Sequence, residues 1–73
     1  MATFHEAFGA AVRRRRHRLN LSQEAFAEKA DIHRTYVSKI EAGKVDVGLD
    51  VAYRLAKALD TRLSKLIEEA EKG

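Results

Sequence analysis

Two apolar stripes at helical spacing lie within residues 22–43: Phe26, Ala27 and Ala30 at i, i+1 and i+4, then Ile32, Val37 and Ile40 after a tight turn. Stripes so close together can be buried only against a shared core, so this stretch folds as two short helices, a helix-turn-helix. Ser22 caps the first helix, because its hydroxyl can accept a backbone N–H two or three residues on. Glu24 adds negative charge near the positive end of the dipole, and the helix starts at Gln23. On the second helix the polar residues Arg34, Thr35, Ser38 and Lys39 face out. Such side chains near a helix N-terminus suit the base edges of a DNA major groove. His33 precedes Arg34 at the N-cap position, where it suits both capping and DNA contact.

The chain has 73 residues, enough for one domain, 1–73, near the lower limit at which a core stabilises a fold alone. Oligomerisation would help. With no Cys, neither disulfides nor a thiolate metal site supplies the missing stability. No apolar stretch approaches the roughly 18 residues of a membrane span, and the N-terminal residues have no basic segment followed by an apolar run. The expectation is a soluble, cytoplasmic protein. The net charge is +3, and its placement is informative: residues 1–41 hold 8 basic and 5 acidic side chains, and residues 42–73 hold 6 of each. All the excess lies in the first half, as a polyanion-binding face on a small domain would require.

The chain reads as an all-α domain of five helices. Helix 1 starts after Thr3, which has the capping-box spacing with Glu6, and its apolar residues Phe4, Phe8, Ala11, Val12 and Leu19 recur with helical period. Asn20 can end it in a left-handed conformation. Helices 2 and 3 follow, with Gly43 as the stop. Residues 44–48 form a loop. Helix 4 spans about 49–59, with Leu55, Ala56 and Leu59 inward and Arg54 and Lys57 outward, until Asp60 and Thr61 break it. Helix 5, about 63–71, carries Leu63, Leu66, Ile67 and Ala70 at i, i+3, i+4 and i+7. A terminal helix needs only one or two apolar side chains to dock on its own domain. With Leu66 in the core, Leu63, Ile67 and Ala70 are left for a two-fold contact with a second copy; the alternative is that all four pack internally.

The residues Leu-Ser-Gln-Glu-Ala-Phe-Ala-Glu-Lys-Ala at 21–30, Val-Ser-Lys-Ile-Glu-Ala-Gly at 37–43 and Leu-Ala-Lys-Ala-Leu-Asp at 55–60 resemble the lambda-repressor-like, Xre-type helix-turn-helix family of bacterial and phage regulators. The similarity covers about residues 8–66. The length and the His-Arg-Thr-Tyr-Val run at 33–37 resemble the small controller proteins of restriction–modification systems, dimers that bind operator DNA upstream of their own gene. The resemblance implies that Gln23 bonds a phosphate and steadies the recognition helix. It implies that Arg34, Thr35, Ser38 and Lys39 face the major groove, and that Gly43 and Lys44 meet the DNA backbone. Arg16 matches the family's helix 1 arginine, which pairs with a glutamate at the end of the recognition helix, here Glu41. Such a pair ties helix 1 to helix 3 and sets the angle of the reading head.

Three positions depart from the family pattern. Asp31 stands at the turn where Gly is usual, Arg15 where an apolar side chain is usual, and Val47 in place of a frequent Pro. Asp tolerates a left-handed backbone, and either the Arg15 stem lies over the core with its guanidinium turned outward or that part of helix 1 is more exposed than in relatives. The run Arg13, Arg14, Arg15, Arg16 and Arg18 spreads around much of a helix, so only part of it can face DNA. His5 and His17 read as surface residues. The three His have no spacing that would gather a metal, and Ser22, Ser38 and Ser64 lie in no nucleophile or phosphate-loop motif, so neither metal, cofactor nor enzyme activity is expected. The expected function is a sequence-specific, homodimeric DNA-binding transcriptional regulator with no small-molecule ligand. An antitoxin-like protein-interaction module with incidental DNA binding is the alternative.

Overall fold

A computed structural model describes residues 3–73. It contains five helices and, among the described residues, no strand: α1 Phe4–Arg18, α2 Gln23–Ala30, α3 Arg34–Glu41, α4 Leu49–Ala58 and α5 Leu63–Lys72. None of them is long and apolar enough to cross a membrane.

The helix starts follow local chemistry. Thr3 Oγ1 accepts the Glu6 N–H at 3.2 Å while the Glu6 carboxylate accepts the Thr3 N–H at 2.9 Å, a closed capping box. Ser22 Oγ accepts the Ala25 N–H at 3.0 Å, and His33 Nδ1 accepts the Thr35 N–H at 3.1 Å. The bonds from the Thr3 backbone N–H and then its hydroxyl lower the Glu6 pKa. A lowered folded-state pKa contributes stability that is present above the unfolded value and lost as pH falls through the folded one. Acid titration of the Glu6 carboxyl by NMR should therefore show a midpoint below that of an ordinary glutamate. Thr3→Ala, which removes the hydroxyl bond but keeps the backbone N–H, should raise it only part of the way toward the ordinary range.

The first four helices end in one way. The N–H groups of Asn20, Asp31, Gly43 and Asp60 bond back to His17, Glu28, Ile40 and Lys57, and the next residue's N–H reaches one carbonyl further, to Arg16, Ala27, Lys39 and Ala56. This is the Schellman ending, with its residue after the cap in the left-handed region. Three of those four residues, Asn20 (φ 57°), Asp31 (φ 58°) and Asp60 (φ 57°), are not glycine. Their short polar side chains tolerate the conformation better than most. The usual turn glycine is therefore dispensable at Asp31.

α1 lies between α3 and α5, while α4 packs on α2 and α5. Phe26, Ile40, Leu55, Leu66, Val12 and Val37 are fully enclosed at the centre. Several apolar positions fall differently from their periodicity. Phe4 (49% exposed) and Leu19 sit at the two ends of α1, outside the buried core, and Phe4 stacks on Phe8 at the edge of the domain. Ala70, expected on a surface for a second copy, is only 2% exposed. The antiparallel packing of α5 on α1 covers it, so it belongs to the protomer's own core. In its place α4 offers Leu49 (77% exposed) and Tyr53 (54%), which lie four residues apart on its outer face.

Candidate nucleic-acid interface

The site begins with how α3 is held. Its inner residues Val37 and Ile40 are buried and Tyr36 packs against the same core, which leaves Arg34, Thr35, Ser38 and Lys39 exposed on the opposite face. Between the N-terminal ends of α2 and α3 an open polar cleft of about 730 Å³ is lined by Ser22, Gln23, Glu24, Glu28 and Arg34. Gly43 (φ 71°) and the exposed Lys44 follow at the other end of α3.

Arg16 and Glu41 meet beneath this face. Arg16 Nε donates to Glu41 Oε2 at 2.6 Å and Nη2 to Oε1 at 2.9 Å, a two-pronged contact, and Nη1 donates to the Leu21 carbonyl at 2.7 Å. Gln23 Nε2 donates to the same Glu41 Oε1 at 3.2 Å. One carboxylate thus gathers α1, the start of α2 and the end of α3. Both partners of the ion pair are nearly enclosed, and no buried side-chain polar atom among the described residues lacks a hydrogen-bond partner.

The other arginines of the run have different surroundings. Arg15 is half-buried, with its Nε 2.9 Å from Glu69 Oε2 on α5, and Arg14 and Arg18 approach the same carboxylate at 3.5 and 3.8 Å. Arg13 is exposed. His17 is exposed and its Nε2 lies 3.3 Å from Arg16 Nη2, while His5 pairs with Asp46 of the α3–α4 loop. Among the described residues no group of His, Cys, Asp or Glu could hold a metal ion. Leu63 and Ile67 are half-exposed, and Ile67 borders an apolar groove of about 360 Å³ with Phe4, Val45, Val47 and Leu49. The reading of α5 alone does not reach Leu49 and Tyr53, whose exposure on α4 follows from the packing of the helices and has no signal in their spacing.

Five helices with an inward-locked, outward-polar α3 define a helix-turn-helix domain. Residues 12–66 match the helix-turn-helix family, to which the chain belongs. The control protein C.BamHI of Bacillus amyloliquefaciens is 42% identical over 62 residues, covering 84% of this chain and 76% of its own. The crystal structure of the restriction-modification controller protein C.AhdI from Aeromonas hydrophila superposes with a TM-score of 0.83 at 35% identity, covering 85% of this chain and 94% of that one. The clp gene regulator ClgR from Corynebacterium glutamicum gives 0.93 at 25% identity, over 97% and 76%.

Proposed function

We propose that the protein is a sequence-specific transcriptional regulator that binds double-stranded DNA as a homodimer, of the kind that controls restriction–modification genes. The observation that carries this is α3, whose buried face is fixed by the core and the Arg16–Glu41 pair while four polar side chains stand exposed. His33, Arg34, Thr35, Ser38 and Lys39 meet the major groove in this reading. Gln23, Gly43 and Lys44 meet the phosphates, and the protein works in the cytoplasm without a cofactor. Gel-shift titration against the DNA flanking its own gene and a scrambled duplex tests it. Equal retardation of both would remove the sequence-specific reading.

The homodimer reading is supported by the exposed Leu49 and Tyr53 on α4 and by Leu63 and Ile67 on α5, which are only partly buried against the protomer's own core. A second copy is the partner that a small core most needs. Two-fold symmetry then makes the operator a near-palindrome with half-site centres about 10 base pairs apart, roughly 34 Å, or a multiple of that. Ile67→Asp should shift the protein to monomer in sedimentation at micromolar concentration. A variant as dimeric as wild type would take α5 out of the interface.

A further inference from the structure

Gly9 lies in the middle of α1, buried against the end of α3. A Cβ placed there would overlap the Ile40 carbonyl oxygen and stand 2.9 Å from the Glu41 carbonyl oxygen. Those atoms are backbone and cannot swing aside. The approach is reciprocal, because a Cβ on Gly43 would lie 2.6 Å from Glu6 Cγ and 2.7 Å from Glu6 Cα. Glu6 precedes Gly9 by three residues and Arg16 follows it by seven, so all three share one face of α1. That face touches the end of α3 at three points: Glu6 on Gly43, Gly9 on the Ile40 and Glu41 carbonyls, and Arg16 on the Glu41 carboxylate.

We infer that Gly9 is a positioning residue for DNA recognition, the seat that sets the height and tilt of the reading helix. The inference rests on the DNA reading proposed above. Glycine is a poor residue for a helix interior, and what it supplies here is the missing side chain. An eight-residue helix is about 12 Å long, so lifting one end by about 1 Å tilts it by about 5°. The displacement matters more than the angle: about 1 Å added to a base-edge hydrogen bond of about 2.9 Å takes it out of bonding range. Attraction to phosphates depends on charge and tolerates such a tilt.

Gly9→Ala should be titrated against operator and scrambled duplexes at a temperature where circular dichroism shows it folded. Operator affinity should fall about 10-fold or more, since the paired base contacts are lost. Affinity for the scrambled duplex should change less than about 2-fold, since its charge contacts remain. Ala58→Gly, which weakens α4 away from α3, should keep wild-type discrimination. Equal losses on both duplexes, or none, would overturn the inference. If Gly9→Ala does not fold, Gly43→Ala changes the same seat from the α3 side, and retained discrimination there would overturn it equally. A wild-type protein that does not distinguish the two duplexes would instead defeat the DNA reading itself.

Discussion

Arg16→Ala and Glu41→Ala are each expected to lower stability by about 2–4 kcal/mol, because each deletion strands an enclosed charge. In a chain of this size that is a fall in melting temperature of roughly 13–26 °C. Arg16→Ala should be the worse, because it also removes the 2.7 Å bond to the Leu21 carbonyl. It leaves the Glu41 carboxylate with only the Gln23 amide for company. After Glu41→Ala the guanidinium can turn along its stem toward water, which softens the loss. Replacing both by apolar residues of similar volume should recover much of the stability, since the penalty comes from the unpaired charge. Thermal melts decide the matter. Single variants that melt with wild type would mean that the pair holds nothing.

Arg34→Ala is expected to cost about 1–3 kcal/mol on the best operator and to relax preference at one base position, as loss of a guanidinium from guanine O6 and N7 would. Lys44→Ala should behave differently. Lys44 is exposed beyond the end of α3 and, on the proposed reading, would contribute charge to the DNA backbone, so its loss should weaken specific and non-specific binding alike. It should also lower the salt-dependence slope by about one unit. Titrations at several salt concentrations against operator and scrambled duplexes separate the two roles. An Arg34→Ala loss equal on both duplexes would move Arg34 from the bases to the phosphates.

Local chemistry made most of the fold legible. Thr3, Ser22 and His33 announce helix starts by their own side chains, and Asn20, Asp31, Gly43 and Asp60 mark ends through backbone preferences that neighbours do not alter. Periodicity says which face of a helix is apolar but not which neighbour covers it. Ala70 therefore reads like Ile67 in sequence, although α1 encloses one and leaves the other half-exposed. Phe4 and Leu19 fit the stripe of α1 yet lie outside the buried core. Arg15 could be weighed as snorkelling or exposed, but its contact with Glu69 joins residues 54 apart and has no local signal. Gly9 was silent for the same reason: its requirement comes from the carbonyls of another helix.

The division of α3 into a fixed inner face and a solvent-facing outer one has an evolutionary consequence. Arg34, Thr35, Ser38 and Lys39 are exposed and, apart from the first-turn backbone cap at Thr35, take no part in the contacts that hold the helix. Exposed substitutions of this sort usually change stability by less than about 0.5 kcal/mol. On the proposed DNA reading, a lineage can therefore exchange these four side chains, and drift to a new operator, without passing through an unfolded intermediate. Val37, Ile40 and Glu41 have no such freedom. Copies of this domain serving different promoters in one cell should diverge first at those four positions and keep the framework beneath them.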